Sequence, residues 1–469
     1  MMEPMKTISD LIEQKRDKFI ALSDKIWEVP ELYFEEHQSS AYLIGALEEE
    51  GFQVEQGVAG LSTAFVGSFG TGKPVVAILG EFDALPGLSQ KKGLSHHDPV
   101  VEDGNGHGCG HNLLGTGAFA AAVAVKEYME QNGLQGTVRY YGCPAEENGS
   151  GKAFMSRAGL FDDVDVALSW HPWDVPGLMN MKTLANYSAR FKFKGKSAHA
   201  AATPHLGRSA LDAVELMNVG VNYLREHMVP DARIHYAVTD TGGTSPNVVQ
   251  ANAEVVYLIR ASEKDEVESL YERVHDIARG AALMTGTTFD VEFVGTASNL
   301  IPNSVLADVM YENLVNVGVP SYDETDMEFA KEIRNTLSAE DLNNAYAGRD
   351  RETVKKLKEK VIADLIPPHS STEATLSGST DVGDVSWVVP TMQCLTTCFA
   401  LGTPLHTWQV VSQGATPIAH KGMLQAAKII ASTALQVMEN PTIIEQAKNE
   451  LADRLDGKSY NSLIPKSVK

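Results

Sequence analysis

Two spacings of apolar residues, one of three to four positions and one of two, alternate along this chain and outline its elements. Ser9 to Trp27 sets Leu11, Ile12, Phe19, Leu22 and Ile26 among charged residues at helical spacing, which predicts an opening amphipathic helix. Ala64 to Val66 and Val75 to Leu79 are short apolar runs that predict strands, and the glycine-rich stretch between them reads as a hairpin turn. Ala-rich Leu113 to Met129 predicts a helix, while Thr137 to Tyr141 and Val164 to Ser169 predict buried strands. Beyond His171 the texture changes. Ser188 to Phe193 alternates as a strand does, Arg208 to Tyr223 is helical in period, and His235 to Thr239 and Glu254 to Arg260 read as strands. A helical Asp265 to Met284 and a strand-like Thr288 to Val294 follow. That β-α-β-β-α-β order predicts a ferredoxin-like α+β layer over residues 185–300, inserted into an α/β domain built from residues 1–184 and 301–469. Gly422 to Met438 predicts a further helix, and the strongly charged Asp323 to Pro368 predicts exposed helices away from any active site.

Composition narrows the class. A chain of 469 residues is long for one hydrophobic core, and 43% hydrophobic with 21% charged residues is ordinary globular usage, which argues against disorder. Asp and Glu outnumber Lys and Arg by 61 to 39, and the net charge of -22 opposes nucleic acid and anionic membrane surfaces as partners. No apolar run reaches the roughly 18 to 20 residues that span a bilayer. No basic segment precedes a short apolar run at the start, so no export signal is visible, and four cysteines do not make a disulfide framework. A cytoplasmic enzyme is the expectation.

The chemistry concentrates at predicted strand ends and at one helix start. Gly106-His107-Gly108-Cys109-Gly110-His111-Asn112 offers two imidazoles and a thiol among glycines that leave donor atoms unshielded. Thiolate, neutral imidazole and carboxylate are the donors that zinc, manganese or cobalt accept. Cys109 alone is equally an inert buried thiol, and His107 is a ligand, a supporting partner or a loop residue. Glu146 and Glu147 follow a strand; in an extended segment their side chains diverge, so one binds metal while the other serves as base, unless both are simply solvated acids. His171, at another strand end, is either a ligand or a satisfied core histidine. Asp83, Asp381 and Asp384 suit the orienting of metal-bound imidazoles as well as they suit turns and caps.

Five motifs in order carry a family resemblance. Gly80-Glu81-Phe82-Asp83-Ala84-Leu85-Pro86, the His-Gly-Cys-Gly-His cluster, Cys143-Pro144-Ala145-Glu146-Glu147, Gly195-Lys196-Ser197-Ala198-His199-Ala200 and Gly402-Thr403-Pro404-Leu405-His406 together resemble the M20 metallopeptidases, in particular their amidohydrolase branch. The resemblance implies a catalytic domain with a mixed sheet flanked by helices, and an inserted layer that acts as lid and dimerisation domain. It implies two divalent metal ions, zinc or manganese with cobalt also compatible. The activity implied is hydrolysis of the amide of an N-acyl amino acid, with p-aminobenzoyl-glutamate favoured and dipeptides as the alternative. Matched motif by motif, Cys109, His111, Glu147, His171 and His406 correspond to the branch's metal ligands and Glu146 to its general base. His199 corresponds to a residue that helps hold the oxyanion, Asn247 to a position near the substrate carboxylate or carbonyl, and Arg260 to a weaker carboxylate-binding candidate. Left to themselves, His199 reads equally as a strand end, Asn247 as a turn residue and Arg260 as a partner of surface acids. A homodimer, or a heterodimer with a homologous subunit, is the implied assembly.

One departure stands out: many M20 peptidases place a histidine two residues before an aspartate at the first strand end, and here Glu81-Phe82-Asp83 occupies that place. The bridging ligand therefore stays open. Gly67-Ser68-Phe69-Gly70-Thr71-Gly72-Lys73 has the spacing of a phosphate-binding loop, but Pro74 stands where Ser or Thr would meet magnesium and a strand follows instead of a helix. Two other readings remain: nucleophilic catalysis by Cys109 or Cys143, which leaves the paired glutamates and His406 unexplained, and a catalytically idle metal-binding subunit of a hetero-oligomer.

Overall fold

The computed structural model describes residues 2–148, 150–369 and 375–468. Its strands, in chain order, are β1 (Gln53–Gln56), β2 (Phe65–Thr71), β3 (Val75–Glu81), β4 (Gly136–Cys143), β5 (Val166–Trp173), β6 (Gly177–Leu178), β7 (Lys182–Thr183), β8 (Ala185–Lys194), β9 (Arg233–Asp240), β10 (Asn252–Ala261), β11 (Thr288–Ala297), β12 (Thr375–Leu376) and β13 (Thr391–Thr397). One seven-stranded sheet has the order β1-β2-β4-β3-β5-β13-β6, with β4, β3, β5 and β13 mutually parallel and the outer strands antiparallel. Every residue of β3 is buried, as a strand covered on both faces requires.

That topology overturns the hairpin expected between β2 and β3, because β4 lies between them. The unbroken apolar run of β3 has no polar face to spend on an outer antiparallel pairing, so it takes the sheet centre and Gly72–Pro74 merely links two strands that are not neighbours. The opening helix also differs from the expectation. It begins at Met2 and is interrupted at Lys15 (φ -107°, ψ 12°), giving Met2–Gln14 and Arg16–Trp27.

The Ala-rich helix His111–Asn132 connects β3 to β4 and packs against β3 and against the helix Pro417–Glu439. It is buried nearly all round, which its run of small side chains permits. Where β3 returns to β4 on one side, the next strand, β5, lies on the other side of β3. The sheet thus has a topological switch at β3, and an α/β sheet opens its ligand crevice there, beyond the carboxyl ends of the strands.

Residues 185–297 form a second sheet, of order β11-β8-β10-β9 and antiparallel throughout, backed by the helices Ala210–Leu224 and Lys264–Thr285. Alternate residues of β10, Val255, Tyr257 and Ile259, meet Val214, Met217, Val267 and Val274 in a core of their own. The charged segment 323–368 holds the helices Glu324–Arg334, Ala339–Asn344 and Arg351–Lys358, largely exposed as expected but anchored by a few buried side chains. Ala330 and Ile333 pack with Ala400, and Leu357 with Leu401 and Val175, because the first and third of these helices each have an apolar stripe to bury. The segment therefore braces the loop that leads to His406.

Close approach of the central helix to the sheet depends on Gly115 and Gly117. A Cβ on Gly115 would lie 2.6 Å from the carbonyl oxygen of Glu81, and one on Gly117 would lie 2.7 Å from the Trp170 ring. Alanine is favoured in a helix by about 1 kcal/mol, but overpacking against backbone costs about 1–3 kcal/mol. Gly115→Ala is expected to lower the urea midpoint without changing the slope; an unchanged or higher midpoint would show that the helix can retreat.

Candidate metal centre

The candidate residues arrive from four strand ends and one helix start. β3 runs into Glu81 and Asp83, β4 into Glu146 and Glu147, β5 carries His171 near its end, and β13 leads through Gly402 to His406. Cys109 and His111 stand at the start of the helix His111–Asn132, where Gly110 takes a positive φ of 76° and its missing side chain makes room for Pro172 and Phe399. His406 itself sits at φ 61°, and its backbone N–H donates to the Gly108 carbonyl at 2.8 Å, which ties the late loop to the cysteine loop. Glu146 and Glu147 lie in a turn rather than the extended segment expected, since Ala145 adopts φ 58° and its carbonyl accepts the Ser150 N–H at 2.7 Å.

The donor atoms meet. Cys109, His111 and His171 form one set with all ligand atoms within 4.8 Å of one another, and Cys109, Glu147 and His406 form another. Cys109 Sγ is 3.3 Å from His171 Nε2, His406 Nε2 is 3.3 Å from Glu147 Oε2, and His111 Nε2 is 4.0 Å from Glu147 Oε1. A third set joins Glu81, His111 and Glu146. Two buried atoms aimed into this space, His111 Nε2 and Glu147 Oε1, make no hydrogen bond. Buried polar atoms rarely go unpaired, and a thiol, three imidazoles and carboxylates are the ligands of borderline-soft divalent metals, so these residues fit a metal pair.

Burial and neighbouring charge set the proton affinities of these groups apart. Burial and the Glu147 charge push the Cys109 thiol well above its ordinary value. Burial would drop His111, yet Cys109 and Asp83 hold its proton well above the ordinary range. Burial and His111 depress His171 to about 4. Burial would raise Glu147, but the imidazoles of His406 and His111 bring it down to about 2. Its neighbour Glu146 moves the opposite way, well above the carboxylate range, through burial and the charges of Glu81 and Glu147. Adjacent carboxyls with opposed proton affinities suit a ligand and a proton carrier respectively.

A supporting shell orients these groups. Asp83 Oδ1 accepts from His111 Nδ1 at 2.9 Å and Asp83 Oδ2 from the Glu147 N–H at 2.9 Å, so one carboxylate aims two candidate ligands. Glu36, which no motif singled out, accepts the Ala145 N–H at 2.8 Å and the Thr63 hydroxyl at 3.1 Å; burial and Asp83 push it up to about 8. Glu81 was legible only as a departure from the usual motif, and Lys152 gave no signal. Lys152 is fully buried and bonds Glu81 Oε1 at 2.7 Å.

The remaining candidates lie away from the donor sets. Asp381 accepts from Lys152, and Asp384 from Ser298 and Tyr460, so neither orients a histidine. His107 joins none of the three donor sets: its Nε2 meets the Ile26 carbonyl at 3.0 Å, and burial depresses it to about 3. His199 and Asn247 come together on the inserted layer, where the Ala200 N–H donates to the Asn247 carbonyl at 2.9 Å, but both are exposed and outside the donor sets around Cys109. His199 Nδ1 accepts the N–H groups of Ala201 and Ala202. Arg260, half-buried at the end of β10, donates to Ser379 Oγ at 2.8 Å rather than to a surface acid.

Cation binding must displace the protons that Cys109 and His111 hold above their ordinary values. Affinity for zinc or manganese is therefore expected to rise with pH from 6 to 8, about tenfold or less per unit for each proton released. Titration calorimetry in buffers of different ionisation enthalpy reads the protons released; affinity independent of pH would contradict this assignment of charge states.

Residues 77–404 match the model of Peptidase family M20/M25/M40. The chain is 51% identical to a p-aminobenzoyl-glutamate hydrolase subunit of Escherichia coli (strain K12), with 100% of this chain and 99% of that protein aligned. It is 31% identical to Xaa-Arg dipeptidase of Mus musculus over 95% of this chain and 92% of the relative. Among solved structures, the YXEP protein of Bacillus subtilis, described as a dinuclear metal binding peptidase from the M20 family, superposes with a TM-score of 0.56 at 18% identity, over 91% of this chain and 99% of that one. The strand order, the convergent donors and a family match across most of the chain lead to one conclusion: this protein belongs to the M20/M25/M40 peptidase family.

Proposed function

We propose that this chain hydrolyses the amide bond of an N-acyl amino acid, p-aminobenzoyl-glutamate foremost, at two divalent cations held by Cys109, His111, Glu147, His171 and His406. The observation that carries the reading is that Cys109 belongs to two of the three donor sets, so the residues that would hold the two cations converge on one thiol. The 51% identical Escherichia coli relative is named for that substrate, and the YXEP protein is described as dinuclear. Zinc or manganese suits the thiolate, imidazole and carboxylate set, and cobalt is compatible. When bound, the cations would polarise the amide carbonyl and lower the pKa of water.

The chain's own groups supply the rest. Glu146, with its raised proton affinity, takes a proton from the attacking water and delivers it to the departing amine nitrogen. Glu147, held low beside two imidazoles, stays ionised as a ligand. Residues 185–300 act as a lid: on closure His199 donates to the oxyanion, Asn247 and Arg260 engage the carboxylate of the amino-acid half, and bulk water is excluded. The same layer is the proposed dimerisation surface. β9 is an edge strand with exposed Tyr236 and Val238, and Val219 and Tyr223 are exposed on the neighbouring helix. A second copy or a homologous subunit would cover them, the latter in keeping with the relative's name as one subunit of a hydrolase. A cytoplasmic setting suits a thiolate ligand, and the four cysteines are all free. No helix among the described residues is long and apolar enough to cross a membrane.

A dipeptidase is the second reading, favoured by the 31% identical Xaa-Arg dipeptidase. The test is a hydrolysis panel of N-acyl amino acids and dipeptides, p-aminobenzoyl-glutamate included, with purified chain loaded with manganese or zinc. Preferential release of p-aminobenzoate is expected, and a chelator should abolish it. Turnover that survives the chelator would favour a cysteine nucleophile, and none at all from the loaded chain would favour an idle subunit. Glu146→Gln is expected to lower kcat by about 10²–10⁴-fold with metal content intact; loss of metal would make Glu146 a ligand instead.

A further inference from the structure

Lys152 is a fully buried lysine at the start of the helix Gly151–Arg157, and it is held from three directions. Its backbone N–H donates to Asp381 Oδ2 at 2.8 Å, its ammonium lies 2.5 Å from Asp381 Oδ1, and the same ammonium lies 2.7 Å from Glu81 Oε1. The other oxygen of Glu81 is 3.3 Å from His111 Nε2, the buried nitrogen that makes no hydrogen bond. Glu81, His111 and Glu146 present ligand atoms within 4.8 Å of one another. One end of the Glu81 carboxylate is thus occupied by a buried lysine that Asp381 also holds, while the other oxygen lies beside His111. A free glutamate would have several rotamers; this one is held to a single direction by an ion pair whose cation is itself clamped.

We propose that Lys152 is a positioning residue of the metal centre: anchored by Asp381, it pins Glu81 so that one carboxylate oxygen faces the cation position beside His111. Glu81 then supplies, from the end of β3, a carboxylate oxygen to the donor set it shares with His111 and Glu146. The proposal rests on the reading of Cys109, His111, Glu147, His171 and His406 as ligands of two cations, and it adds a carboxylate and its lysine to that set.

A buried triad is also a structural staple, so the test must read metal affinity in folded protein. Zinc and manganese stoichiometry and affinity are measured by elemental analysis and titration calorimetry on wild type, Lys152→Met, Glu81→Gln and the double variant, each first checked for fold by circular dichroism. Removing the outer partner of a metal site typically costs about 10–100-fold in metal affinity. That loss is expected for Lys152→Met and for Glu81→Gln alike, and the double variant should lose no more than either, because the lysine acts through the glutamate. Folded Lys152→Met with wild-type affinity for both cations would overturn the proposal, as would factors that multiply in the double variant. If removal of the lysine prevents folding, Asp381→Asn takes its place in the same cycle, and the same two results overturn the proposal. Wild type that takes up no cations would end the metal-centre reading and this inference with it, whereas intact wild-type binding with unaltered variants would end this inference alone.

Discussion

Acidic groups crowded out of water are the constraint on which this molecule turns. Glu81, Asp83, Glu146, Glu147 and Asp381 converge on one crevice with Cys109, and charges of one sign so close and so buried repel strongly unless cations or protons intervene. Each of these groups has found a different way to persist. Glu147 leans on two imidazoles and stays ionised, Glu146 has its proton affinity raised by burial and neighbouring charge, Glu81 and Asp381 share Lys152, and Asp83 is spent on a ring nitrogen and a backbone amide. The division is what a hydrolytic site needs, because one carboxyl must carry a proton while its neighbours hold charge.

The sheet makes that crowding possible. Parallel strands β4, β3, β5 and β13 all end on the same edge, so four loops distant in sequence deliver their side chains to a common place, and the switch of direction at β3 leaves a crevice there. The central helix completes the set from behind, and its glycines let it lie close enough to bring Cys109 and His111 level with the strand ends. Packing of the segment 323–368 against Ala400 and Leu401 then steadies the loop that ends in His406. That last residue needs such support: its side chain is 53% exposed, whereas its partner Glu147 is 6% exposed.

The inserted layer stands apart from this machinery in its physics as well as its chain. It has its own core and an unpaired edge at β9, and two of its polar candidates, His199 and Asn247, are solvated. His199 and Asn247 therefore lack the burial that tunes the residues around Cys109, whereas Arg260 is half-buried against Ser379. Under the proposed function such groups would act when the layer closes over bound substrate and water leaves.

Periodicity alone determined most elements of the fold, because the burial of a strand or helix face is written in the spacing of its apolar residues. The order β8 to β11 with its two helices and the long Ala-rich helix are examples. Ligand chemistry likewise marked Cys109, His111 and His171 as candidate donors, while the choice of Glu147 over Glu146 and the role of His406 came from the family resemblance. Tertiary structure decided the rest. Strand pairing is non-local, so only the folded sheet could place β4 between β2 and β3 and dissolve the expected hairpin. Asp381 and Asp384 share a motif one helical turn apart, yet one meets a lysine and the other a serine and a tyrosine, because their partners come from other parts of the chain. Lys152 and Glu36 carried no local mark for the same reason: a buried charge is defined by what surrounds it, and its surroundings do not exist until the chain has folded.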